Sequence, residues 1–290
     1  KFSTFSEILS AEELGELLNI YLTKMSDIII KEKGTIDKYE GDAIVAMVGA
    51  PYAIEDHAKR ACSAAIKIKQ EEKELNKQIE FIGSLENYFE LPTEYQHINR
   101  TLYSACKKLV NNKIKIYTRI GINSGEMIAG YFGSANKKNY TMMGKNVNLA
   151  SRLEGVNKQY STGGILISEA TKILLEDDFL VRRLDRVRVV NTNNPIRLYE
   201  LFDFKRNATT MQLKYIERWE TALSLFEEKK YAESLQIFME LSKENSEDKV
   251  VVYYINLISN YFIHGKYPQK SDDIGVVYNT DDGVFTLLQK

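Results

Sequence analysis

The chain has 290 residues, enough for one large domain plus a small one, and its 44% hydrophobic and 27% charged content is that of an ordinary globular protein. A formal net charge of −1 offers no footprint for non-specific nucleic-acid binding, so no nucleic-acid partner is expected. Cys62 and Cys106 have neither disulfide-framework nor metal-site spacing, His57, His97 and His264 are scattered so no zinc site is expected, and no apolar run reaches membrane-spanning length.

Ser10-Ala-Glu-Glu13 is a capping box, and Leu14, Leu17, Leu18, Tyr21, Met25 and Ile28 follow at helical spacing until Gly34 stops the helix. Thr35 to Gly49 reads as two strands joined by a Gly41-Asp42 turn, which leaves a carboxylate exposed at a hairpin tip. Asp56 to about Leu75 is amphipathic and helical, and residues 78–112 are expected to be partly helical, as an inserted element or a lengthened loop. Lys113 to Ile122 alternates like one strand. Strands over 126–132 and 140–143 lead, through Gly144, into a helix at 145–158. Asn148 and Arg152 are four residues apart on it and so share a face. An amide beside a guanidinium suits a phosphate ester: one orients an oxygen, the other neutralises charge. Ile165–Ser168, a short helix at 169–175, and strands near 179–190 and 195–203 follow. The intermixing of helices and hairpins predicts an α+β fold with a mostly antiparallel sheet, close to a ferredoxin-like core. Composition shifts near Arg206-Asn-Ala-Thr-Thr210. Residues 211–263 read as two or three helices, with Trp219, Leu223, Phe226, Tyr231, Ser234 and Phe238 resembling one tetratricopeptide-like unit that should pack on its neighbour. Residues 264–290 read as a polar tail lying extended on the surface.

A series of ordered blocks carries a family resemblance. They include Phe2-Ser-Thr-Phe-Ser6, Asp56-His-Ala58, Thr118-Arg-Ile-Gly-Ile-Asn-Ser-Gly125, Leu153-Glu-Gly-Val-Asn-Lys-Gln-Tyr160 and Arg182-Arg-Leu-Asp-Arg-Val-Arg-Val189, together with the stretches around Asp42 and Arg152. Residues 1–204 thereby resemble the catalytic domain of class III nucleotidyl cyclases, most like bacterial adenylate cyclases of the spirochaete type. The resemblance implies conversion of ATP to 3′,5′-cyclic AMP and pyrophosphate through two Mg²⁺ or Mn²⁺ ions per site, at sites formed in a homodimer. It assigns Asp42 to metal binding, Phe2 and Ser3 to a backbone cradle for phosphates, Lys38 and Thr141 to the adenine base, Asn148 to the ribose, Arg152 to the α-phosphate and Arg119 to the terminal phosphates. A guanylate cyclase, or a nucleotide-binding and dimerising module without turnover, are the alternatives.

Each residue also has a plainer reading. Asp42 suits a turn, Asn148 and Arg152 a solvated helix face, Arg119 a strand-edge salt bridge, Lys38 an exposed strand position and Thr141 an ordinary β-former. Two departures stand out. The family has an Asp a few residues before the position of Phe2, and the sequence begins at Lys1 without it. The chain is therefore expected to be the C-terminal part of a longer protein, of a family that often carries a sensor and membrane anchor upstream, with its catalytic region cytoplasmic. The loop Val190-Asn-Thr-Asn-Asn-Pro195 also lacks the Lys that many relatives place there. Either phosphate grip is weaker, or Lys137, Lys138 or Lys145 substitutes.

Overall fold

The structure is a computed structural model that describes residues 2–160, 162–188, 195–265, 276–279 and 284–287, with the side chains of residues 2, 3, 159, 276–279 and 287 outside the description. In chain order it contains α1 (Phe2–Ser6), α2 (Ala11–Lys31), β1 (Gly34–Glu40), β2 (Ala43–Val48), α3 (His57–Ser84) and α4 (Arg100–Asn111). These are followed by β3 (Ile120–Ile122), β4 (Ile128–Gly133), β5 (Lys138–Met143), α5 (Lys145–Tyr160), β6 (Ile165–Ser168), α6 (Glu169–Ile173), β7 (Phe179–Arg188) and β8 (Ile196–Phe204). Last come α7 (Thr210–Glu227), α8 (Tyr231–Glu244), α9 (Lys249–His264), β9 (Val276–Asn279) and β10 (Val284–Leu287). The fold is α+β, as expected. Residue contacts divide it into two compact units: 1–118 with 129–142, and 119–128 with 143–290.

In the first unit α2, α3 and α4 enclose a core of Leu17, Leu75, Ile79, Ile82, Leu102 and Leu109. The capping box holds as read: the Glu13 backbone N–H donates to Ser10 Oγ at 3.2 Å, and Glu13 Oε2 accepts from the Ser10 N–H at 2.7 Å. α2 stops at Lys31 rather than at Gly34, and Lys33 takes the left-handed turn at φ 63°. Gly34 begins β1 instead, where a Cβ would lie 2.5 Å from Ile29 Cγ2. α3 runs past Leu75 to Ser84 because Ile79 and Ile82 extend its apolar stripe. The 78–112 region is core, not merely loop. α4 packs so closely on α3 that a Cβ on Gly83 would meet the Cys106 carbonyl at 2.6 Å.

β1 and β2 form an antiparallel hairpin turning at Gly41 (φ 66°) and Asp42, with a bulge between Ile36 and Lys38. β4 and β5 form a second two-stranded sheet. The strand expected over 113–122 is realised only as β3. Before it, side chains of α3 take the backbone groups that a ladder would use. Asn76 bonds both the N–H and the carbonyl of Ile116, Glu72 accepts from the Thr118 N–H, and Lys69 donates to the Thr118 carbonyl.

The second unit is built on a six-stranded mixed sheet in the order β3-β6-β8-β7-β10-β9. β6–β8, β7–β8 and β9–β10 pair antiparallel, whereas β3–β6 and β7–β10 pair parallel. Residues 211–263 form three helices, α7 to α9, that share one core with α5 and the sheet: Leu153 and Val156 meet Leu184, Leu198, Trp219, Phe226, Phe238 and Tyr254. The helices and the sheet lie in the same compact unit, 119–128 with 143–290. The 264–290 segment departs from the surface tail expected of it, because β10 joins the edge of β7 and buries Val284 and Phe285. Burial of these two apolar side chains adds to the backbone ladders that β10 makes with β7 and β9.

A buried ion cluster ties helices to sheet in this unit. Arg182 donates through Nε to Glu200 at 3.0 Å and through a terminal nitrogen to Asp248 at 2.5 Å, while its guanidinium lies 4.4 Å from the Trp219 ring centroid. Tyr215 donates to the same Asp248 at 2.8 Å. Among the described residues no helix is long and apolar enough to cross a membrane.

Candidate active site

The first unit carries Lys38, Asp42 and Thr141. Asp42 is exposed at the β1–β2 tip, beside an apolar cleft of about 60 Å³ lined by Phe5, Leu17, Tyr21 and Ile116, among others. Its carboxylate has no hydrogen-bond or ion-pair partner among the described residues, and no three Asp, Glu, His or Cys side chains gather into a metal cluster there. One hard carboxylate oxygen fits a Mg²⁺-type ion, which commonly binds through one or two carboxylates and the substrate's phosphates.

Lys38 is half exposed on β1, its Nζ 3.8 Å from Asp37 Oδ2 and 4.0 Å from Glu40 Oε1. Thr141 on β5 is buried and donates its hydroxyl to Asp37 Oδ2 at 2.8 Å. The two residues assigned to the base are therefore brought together around one carboxylate. Strict strand alternation would turn Asp37 and Lys38 to opposite faces. The bulge breaks that alternation: Ile36 pairs with Ala46 and Lys38 with Val45, leaving Asp37 as the extra residue. Asp37 was not among the residues picked out from sequence. Its only local signal was an acid beside Lys38. The backbone of Phe2 and Ser3 forms the start of α1, a single helical turn, and their side chains lie outside the described residues.

The second unit carries Arg119, Asn148 and Arg152. Asn148 is exposed and Arg152 half-buried, one turn apart on α5. Neither side chain has a hydrogen-bond or ion-pair partner among the described residues. Arg119 does have one: its Nε lies 2.6 Å from Glu154 Oε1, also on α5. The start of α5 is pinned by Asn146, likewise missed from sequence. Its Nδ2 donates to the Glu126 carbonyl at 2.9 Å, and its own carbonyl accepts from Asn123 at 3.0 Å. Gly125 leaves room for that amide, since a Cβ there would lie 2.4 Å from Asn146 Nδ2. Of the lysines considered as phosphate contacts, Lys137, Lys138 and Lys145 are all exposed, and residues 190–194 of the departing loop lie outside the described residues.

The first unit thus presents an exposed carboxylate at a hairpin tip and a Lys–Thr pair around Asp37, and the second presents an Asn–Arg pair without side-chain partners among the described residues. The family model for the adenylate and guanylate cyclase catalytic domain matches residues 1–202, and the chain belongs to that family. Adenylate cyclase 1 of Rhizobium meliloti (strain 1021) is 29% identical over 211 residues, which are 73% of this chain and 27% of that protein. The chain thus spans about a quarter of that relative's length. Among solved structures, the adenylyl cyclase CyaB from P. aeruginosa is 32% identical with a TM-score of 0.54, over 72% of this chain and 91% of that one. The guanylyl cyclase Cya2 is 29% identical with a TM-score of 0.53, over 69% of this chain and 85% of that one. Cyclases of this family generally use divalent metal ions.

Proposed function

We propose that this chain is the catalytic region of an adenylate cyclase, converting ATP to 3′,5′-cyclic AMP and pyrophosphate in a homodimer. The ribose 3′-oxygen gives up its proton to water and attacks the α-phosphorus. The O3′–P bond forms, the bond to the β-phosphate oxygen breaks, and pyrophosphate leaves with the electron pair. Arg152 stabilises the charge that grows on the α-phosphate. Asn148 orients the ribose so that the 3′-oxygen is in line. Lys38 donates to adenine N1 and Thr141 accepts from the 6-amino group. Arg119 exchanges Glu154 for the terminal phosphates. Phe2 and Ser3 offer backbone N–H groups to the phosphates. Asp42 would help hold the Mg²⁺ or Mn²⁺ ions, two per site, which would supply neutralisation of phosphate charge and acidification of the ribose hydroxyl. In the dimer Asp42 of one copy serves the site whose base, ribose and arginine contacts come from the other. ATP as substrate puts the region in the cytoplasm.

The observation that carries this reading is the Asn148/Arg152 pair, one turn apart and without side-chain partners among the described residues, in a chain whose family match spans 1–202. The test is cyclic nucleotide formation from ATP and GTP in parallel, with Mg²⁺ or Mn²⁺, by the protein as its gene encodes it. Cyclic AMP should form, and Asp42→Ala and Arg152→Ala should each lower kcat by roughly 10² or more. Equal use of ATP and GTP would overturn the adenine assignment. Undiminished turnover by Arg152→Ala would overturn the site.

A further inference from the structure

Thr141 is the weak point of the base assignment. A hydroxyl both donates and accepts, so alone it satisfies a 6-amino group as readily as a 6-oxo group. The lysine cannot supply the missing discrimination at this position, because it reads N1. Something must fix which way the Thr141 hydroxyl points.

The structure holds a group suited to that task. Asp37 Oδ2 accepts the Thr141 hydroxyl at 2.8 Å across 104 residues of sequence. The Asp37 side chain is 3% exposed, and Thr141 is 9% exposed. Water therefore competes poorly for the bond. A carboxylate can only accept, so the hydroxyl proton is committed to Asp37 and the oxygen's lone pairs are left for any group that approaches Thr141. The carboxylate reaches Thr141 because of the β1 bulge at Asp37, an irregularity of a kind often used to re-aim a side chain beside an active site.

We propose that Asp37 is a specificity-positioning residue: by taking the Thr141 proton it restricts that hydroxyl to the acceptor role, which a 6-aminopurine satisfies and a 6-oxopurine does not. The inference rests on the reading of Thr141 as a base contact. It makes no claim that Asp37 touches the nucleotide. In the presence of a 6-oxopurine the site would set two acceptors against each other, leaving both buried and unpaired.

The experiment measures kcat/KM for ATP and for inosine triphosphate, whose base differs from adenine only at N1 and C6, in the protein as its gene encodes it. Asp37→Asn keeps the shape of the side chain and adds a donor, so the Thr141 hydroxyl is free to turn outward and donate. The ATP-to-inosine ratio should fall tenfold or more. Asp37→Glu, which can still only accept, should hold the ratio near that of the unmutated protein. Asp37→Ser, shorter but also able to donate, should lower the ratio and replaces Asp37→Asn should that variant not fold. Thr141→Val should lower the ratio by itself, and adding Asp37→Asn to it should change nothing further. An unchanged ratio in both Asp37→Asn and Asp37→Ser, with Thr141→Val still effective, would overturn the proposal and leave Asp37 as a mere tie between hairpins. An unchanged ratio in Thr141→Val would instead overturn the base reading beneath it.

Discussion

Asp185 should make this protein less stable as pH rises. The carboxyl is 3% exposed, and its oxygens accept the Tyr160 hydroxyl at 2.7 Å and the Tyr254 hydroxyl. Burial pushes its pKa up from 3.8 to about 7, against the lowering effect of the Tyr160 hydrogen bond and the Arg197 and Arg183 charges, and with a further push from Glu227. The folded protein therefore keeps a proton that the unfolded chain releases near pH 4. Stability from this group is fully present below pH 4 and is lost as pH climbs through 7. A shift of that size corresponds to about 4 kcal/mol, or about 1.4 kcal/mol per pH unit between the two values. Asp185→Asn mimics the protonated acid and removes the dependence. Denaturant unfolding at pH 4 to 8, followed by the fluorescence of Trp219, the chain's one tryptophan and a member of the same core, reads the effect. Glu13, held down to about 2, where its hydrogen bonds from Lys108, Ser104 and Ser10 outweigh its burial, contributes with the opposite sign. It is present in both proteins and cancels in the difference. The stability of Asp185→Asn relative to the parent should rise by roughly 4 kcal/mol from pH 4 to pH 8. A difference that stays flat across that range would refute the reasoning.

Arg182→Met should cost roughly 3–5 kcal/mol, because Glu200 and Asp248 would be left buried and unpaired; a loss under about 1 kcal/mol in the same unfolding experiment would show the cluster to be dispensable. Deleting residues 206–290 should give an aggregating product, since the faces of Leu184, Val187 and Leu198 would open to water, and a monodisperse 1–205 fragment would contradict the shared core. Mixed Asp42→Ala and Arg152→Ala subunits should regain activity through one intact site per heterodimer. Mixtures that demonstrably exchange subunits and stay inactive would sink the composite site.

What could be read from the sequence alone was local. A capping box at Ser10 and Glu13, a hairpin closing on Gly41 and Asp42, and the four-residue step from Asn148 to Arg152 are settled by hydrogen bonds, φ preferences and helical pitch within a few residues. The ordered motifs then carried the family. Elsewhere a distant partner outweighed the local pattern. The alternation over 113–119 promised a strand, but Asn76, Glu72 and Lys69 on α3 captured its backbone first. The polar composition of 264–290 hid a strand that buries Val284 and Phe285, because an average over the segment does not register two apolar positions. Nothing local but an adjacent lysine marks Asp37, and only the bulge in β1 and the approach of β5 turn it onto Thr141. The sequence by itself determined the family, most of the helices and the hairpin turns. The tertiary structure decided how the candidate site residues are oriented and held, because hydrogen-bond polarity and burial arise only when segments far apart in the chain meet.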